Sequence, residues 1–456
     1  MEAVAGDIGP YEDSASDEPL LAETPTPSPV VDEATVPDLG ITEWRLGNGV
    51  RVILKPTDFK DDQVLVRAFS PGGFSLSSIE NHLSASSADQ MVALGGVGSF
   101  NRVDLMKKLA GKSASVSPSI SENTEGFSGQ ASPQDMETLF QLIYLYFTAP
   151  RKDEVAFQAL TSQLEAVLAN RDADPMIAFQ DTLLLTMSQG HPRVRPMDLE
   201  AFQEIDLDEA FSFYQDRFAD ASDFTFLFVG ALDTGELKPL VETYLGGLPN
   251  IGREESWMDL DVDPPVGVIE KTVRKGVEPQ SITQLVFTGP FESTPDTRMG
   301  IRTMSSVLES RLLRLVREDL GGTYGVQVSP GYSLIPEPGY QIRIQFGSDP
   351  DRVEELVAAV FGEIQDLIEE GPTPDDVQAA TEKERRSRET NMKENGWWLN
   401  QLRSAYFYGW DPHLALDEGP LDRVTAETIQ RDAGIWLRLD NYVRVSLFPE
   451  TGGDPI

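Results

Sequence analysis

The chain has 456 residues, with 37 Lys and Arg against 75 Asp and Glu, a formal net charge of −38. That balance excludes a nucleic-acid binder, which needs a basic surface to neutralise phosphates, and an anionic membrane face would repel it. With no cysteine and three histidines, His82, His191 and His413, well separated in sequence, the chain offers no disulfide framework, no thiolate metal site and no short paired-histidine motif.

The length predicts two or three domains. No apolar run reaches the roughly 18 residues of a membrane helix. No basic stretch followed by an apolar one opens the chain as a signal peptide would.

Residues 1–40 carry ten acidic residues, no Lys or Arg, and prolines at 10, 19, 25, 27, 29 and 37. Such a segment buries too little apolar surface to offset its ordering entropy, which predicts a disordered acidic linker with order starting at Ile41. Next, Gly47-Asn48-Gly49 between Trp44-Arg45-Leu46 and Val50–Leu54 reads as a hairpin. Val64–Phe69 reads as a strand closed by Ser70-Pro71-Gly72-Gly73. Leu139, Phe140, Ile143, Tyr146 and Phe147 follow helical spacing. Residues 153–171 predict a second helix, and Phe224–Val229 an apolar strand. Residues 251–267, polar and acidic with Pro264-Pro265, read as a boundary.

The second half restarts the first. The strand Gln284–Thr288 is closed by Gly289-Pro290-Phe291, and Gly95-Gly96 has a counterpart in Gly321-Gly322. Strand, helix and Gly-Gly loop in the same order predict a duplicated domain. Strands and helices alternate without a βαβ rhythm, so the fold class expected is α+β, with antiparallel sheets packed by helices. A helix over 301–317 presents Met304, Val307, Leu308, Leu312, Leu315 and Val316, with Arg311, Arg314 and Arg317 toward its C-terminal end, where cations complement the dipole. A strand from Thr323 to Val328 and a hairpin to Tyr340–Phe346 follow. The mixed-charge run Glu382–Glu394 reads as a solvated helix face, and Trp397, Trp398, Tyr406, Phe407, Tyr408 and Trp410 as core or interface packing.

The stretch Arg314–Tyr324 resembles the arginine–tyrosine motif of the pitrilysin/insulinase (M16) metallopeptidases, inverzincins in which Arg and Tyr stand seven positions apart. Trp44–Pro56 and Arg385–Leu399 are similar to other segments of that family, and the likeness covers about residues 41–450. It implies two M16-type domains, 41–250 with a degenerate zinc motif and 268–452 with the Arg/Tyr motif. Together these would form one half of a clamshell that closes around a peptide. The zinc half of the family carries His-x-x-Glu-His and a distal Glu. Here Ala85, Ala88 and Asp89 stand at the motif positions, and Glu165 lies about where the distal glutamate would. The resemblance therefore implies no metal and no cofactor on this chain, with zinc expected on a partner half. Arg317 would fork onto a substrate carbonyl and Tyr324 would stabilise the oxyanion. Gly321 and Gly322 would let the backbone approach a peptide held as an added strand.

The function implied is that of the non-catalytic half of an M16-like zinc metalloendopeptidase, a hydrolase subunit inactive alone. It would bind peptide substrates and complete the active site of a zinc-bearing M16 half. The alternative is an inactive scaffold or peptide-binding subunit of the same fold. The family resemblance leans toward the bacterial periplasm or cell envelope.

Overall fold

The computed structural model describes residues 18–315 and 325–450. Among the described residues, twelve strands fall into two sheets. The first holds β1 (Val30–Val36), β2 (Ile41–Leu46), β3 (Arg51–Pro56), β4 (Val64–Pro71), β5 (Ala114–Ile120), β6 (Thr124–Ala131) and β7 (Thr225–Gly230), in the order β1-β2-β3-β7-β4-β6-β5. The second holds β8 (Val268–Arg274), β9 (Ser281–Pro290), β10 (Val326–Ser333), β11 (Gly339–Ser348) and β12 (Tyr442–Phe448), in the order β10-β11-β9-β12-β8.

The two orders are the same path drawn twice. Counted from β3 and from β8, each unit places its strands first, fifth, second, fourth, third. Each sheet is antiparallel apart from one parallel pair, β3 with β7 and β8 with β12. The last strand of each unit arrives after a run of helices and inserts between the first two strands. It is therefore covered on both faces, as in Thr225–Gly230, where every residue is buried.

Residues 18–40 depart from the expected linker. Val30–Val36 pairs with Ile41–Leu46 across the Gly40 turn, where φ is +61°. Leu20 and Leu21 pack against the first core, and the Val30 amide donates to Glu242 at 3.0 Å. The acidic Val-Val-Asp-Glu-Ala-Thr-Val composition hid this strand because it is an edge strand, whose side chains stay largely in water. Residues 251–267 contain neither helix nor strand, yet they are held against the first unit: the Met258 amide donates to Ser75 Oγ at 3.0 Å.

One face of the first sheet packs on the helices Met136–Thr148 and Leu207–Arg217, around Phe140, Phe147, Phe226 and Phe228. In the second unit the helices Pro295–Leu312 and Val353–Glu369 cover Leu285, Phe287, Ile342 and Ile344. Pro295–Leu312 starts earlier than the sequence expectation because Thr294 forms a capping box with Thr297.

The opposite faces are covered by exchanged helices. Asn395–Tyr408, from the second half of the chain, lays Trp398, Leu399 and Leu402 on Ile41, Ile53, Leu227 and Val229 of the first sheet. Pro175–Met187, from the first half, lays Phe179 on Val286, Val443, Val445 and Leu447 of the second sheet. Along β7 the alternation is direct: Phe226 and Phe228 enter one core, Leu227 and Val229 the other.

Candidate functional site

The degenerate zinc positions sit on two short helices, His82–Ser86 and Ala88–Gly95, that pack against Leu207–Arg217. Ala85 and Ala88 are buried methyls. Asp89 accepts from the Gln90 amide at 2.8 Å and from the Ile120 amide of β5 at 3.2 Å. Burial pushes its carboxyl up while those two amides pull it down, and burial prevails. This side chain tethers a helix start to a strand.

Glu165 is exposed on Glu154–Leu168, a helix with no fully buried residue. His82 is buried edge-on to Phe74 at 5.2 Å, and its Nδ1 lies 3.4 Å from the Arg193 guanidinium. Burial, with Arg193 second, lowers its basicity. His191 Nδ1 accepts from the Arg193 amide at 3.3 Å, and His413 lies 2.7 Å from Asp411. Among the described residues no three His, Asp or Glu side chains converge as a metal requires. Zinc needs three or four imidazole, thiolate or carboxylate donors aimed at one point. Two methyls and a carboxylate held by backbone amides do not fit it.

A carboxylate–guanidinium cluster that the sequence reading missed lies at the end of β4. Glu125 of β6 is buried and accepts the Gly73 amide at 2.6 Å. Burial pushes its carboxyl up to about 8, against the pull of the Gly73 amide and of Arg217. Arg217 pairs instead with Asp216 at 2.5 Å and with Glu255 of the 251–267 segment at 2.6 Å. Gly72 has φ of +149°, and a Cβ there would lie 2.9 Å from Glu125 and 3.0 Å from Arg217. The Gly72-Gly73 pair was the available signal, because it marks a backbone that a charged group approaches closely.

Arg317, Tyr324, Gly321 and Gly322 lie outside the described residues. The helix leading toward them is anchored on its neighbours. Arg311 pairs with Glu363 and donates to the Gly371 carbonyl at 3.1 Å. Arg314 lies 3.3 Å from Asp376. Partial burial pushes the Asp376 carboxyl up, but bonds from Thr373 and Arg314 leave it below its ordinary value. These arginines therefore act through specific carboxylates on the next helices, beyond any general complement to the helix dipole.

Residues 204–383 match the family model described as the peptidase M16 inactive domain. The chain is 29% identical over 419 residues to a zinc protease PQQL-like protein of Arabidopsis thaliana, covering 88% of this chain but 41% of that protein. It therefore spans less than half the length of that relative. Among solved structures it is similar to the periplasmic protease PqqL of Escherichia coli, with a TM-score of 0.83 at 19% identity, covering 98% of this chain and 49% of that one. The separately solved first half of the same protease gives a TM-score of 0.71 at 11% identity, covering 94% of this chain and 93% of that half. Residues 204–383 thus resemble the peptidase M16 inactive domain, and the chain as a whole has the fold of one half of an M16 protease.

Proposed function

We propose that this chain is the non-catalytic half of an M16-type zinc metalloendopeptidase, completing the active site of a zinc-bearing half and helping to hold the peptide. The observation that carries the reading is the donor set. On an M16 fold, the zinc-motif positions hold Ala85, Ala88 and an Asp89 already engaged with backbone amides. The better fit to the whole E. coli protease than to its isolated first half favours the C-terminal position.

In this reading zinc and its activated water belong to the partner half. Tyr324 donates its hydroxyl toward the oxyanion that develops on the scissile carbonyl, and Arg317 forks onto a neighbouring substrate carbonyl. Gly321 and Gly322 leave room for the peptide backbone. By extension from the periplasmic protease of E. coli, the complex would work in the cell envelope.

Purified chain mixed with its zinc-bearing half should cleave peptides that neither cleaves alone. Tyr324→Phe should lower turnover by about tenfold or more at unchanged zinc content. Full turnover in the Phe variant would remove the assigned role. A mixture without activity would favour the scaffold reading.

A further inference from the structure

A cavity of about 380 Å³, lined by none of the zinc-motif positions, opens between the N-terminal turn of Pro295–Leu312, the end of Pro374–Asn391, and Asn395–Tyr408 with the turn that follows it. Its volume lies in the range of small-molecule sites. Gly409, at φ of +69°, reverses the chain after the last of these helices and carries Trp410 back over the wall. The Arg298 guanidinium stacks 3.9 Å from the centre of the Trp410 ring. Tyr332, itself stacked on Phe291 at 4.9 Å, also lines the cavity.

The charges lining this cavity are unequally spent. Glu384 lies 3.8 Å from Arg302. Asp411 is taken by His413, and Asp417 accepts the Gly419 amide at 2.9 Å. Arg388 donates to the Ala415 carbonyl at 2.8 Å and has Glu418 at 3.8 Å. Arg298 has no carboxylate within ion-pair distance among the described residues, where its guanidinium donates only to Ser293 Oγ at 3.4 Å. In a chain with 75 acidic residues, a half-buried guanidinium held flat by an indole and left without an anion is an available binding group. The stacking also reduces the entropy lost when it grips a ligand.

We propose that this cleft binds a free carboxylate joined to an aromatic or branched apolar group, with Arg298 forking onto the carboxylate and the Trp410 and Tyr332 rings enclosing the apolar body. One unneutralised guanidinium matches a monoanion, and its planar fork matches a carboxylate. Two sources share this chemistry: the C-terminus of a peptide and a free small acid. The inference does not depend on Arg317, Tyr324 or a partner half.

The test titrates the full chain with N-acetyl-leucyl-phenylalanine, with its C-terminal amide and with phenylacetate. Tryptophan fluorescence and calorimetry follow the binding. The peptide acid should saturate at millimolar concentrations or below and bind about tenfold or more tightly than the amide, as expected for one charge-assisted contact. Arg298→Gln should abolish the difference between acid and amide while leaving circular dichroism unchanged, and Arg298→Lys should retain part of it. Phenylacetate binding as tightly as the peptide acid identifies a small-acid site, and weaker binding identifies a peptide C-terminus. Equal affinity for acid and amide, no saturation by either acid, or undiminished preference in both Arg298 variants overturns the proposal.

Discussion

The Tyr406 hydroxyl donates to Glu43 at 2.5 Å across 363 residues of sequence, and the Arg51 guanidinium, 2.8 Å from the same carboxylate, stacks 4.6 Å over the Tyr406 ring. This triad ties the exchanged helix Asn395–Tyr408 to β2 and β3. Burial, with Glu43 adding to it, drives the phenol far above its ordinary value, so it remains a donor at any working pH. Tyr406→Phe should cost about 1.5–3 kcal/mol, as for a bond to a charged acceptor. Urea unfolding of Tyr406→Phe, Glu43→Gln and the double variant checks it. Strict additivity of the two single changes would show that the bond contributes nothing.

Phe179 performs the corresponding task on the second sheet. Phe179→Ala should destabilise by about 3–5 kcal/mol, because a fully buried ring leaves a cavity between Pro175–Met187 and β12. Thermal unfolding measures it. A loss below about 1 kcal/mol would mean that the helix does not contribute to that core.

Glu125 gives the chain a pH dependence of definite sign. A carboxyl raised from 4.5 to about 8 by burial binds its proton more tightly folded than unfolded. Its contribution is fully present below 4.5 and is lost as pH rises toward about 8. Stability of the native chain relative to Glu125→Gln should therefore fall across that window, by up to about 1.4 kcal/mol per pH unit. Parallel stability profiles for the two proteins would contradict the buried neutral carboxyl.

Restoring the letters of the zinc motif should not restore the metal. Ala85→His and Ala88→Glu insert bulk where methyls are buried, and each should cost about 1–3 kcal/mol. Asp89→His would in addition release the Gln90 and Ile120 amides. Elemental analysis of the triple variant should find less than stoichiometric zinc. Full occupancy would mean that these helices retain a metal-ready geometry.

The legible parts of the fold were those written locally. Asn48-Gly49 gave the hairpin of β2 and β3, and 3.6-residue spacing gave Met136–Thr148. The duplication was legible as a strand, a helix and a Gly-Gly loop recurring in the same order, and strand order carries it in the structure. Helix exchange was not legible. Trp398 on Leu227 and Phe179 on Val443 pack together across more than 170 residues of sequence, and they leave no periodic trace in either partner. The aromatic cluster around Trp397–Trp410 could be read as packing, but not as packing on the other sheet. The Glu125 and Arg298 sites were hidden for a related reason: each is an ordinary charged residue until burial and the absence or presence of a counter-ion give it a role.

The exchanged helices bear on how the chain can be divided. Cutting within residues 251–267 would separate the two sheets in sequence while leaving each without the helix that covers its outer face. Each fragment would expose Ile53, Leu227 and Val229 on one side of the cut, or Val286, Val443 and Val445 on the other. The two pieces would have to be produced together to remain soluble, and the intact chain should melt as a single cooperative block.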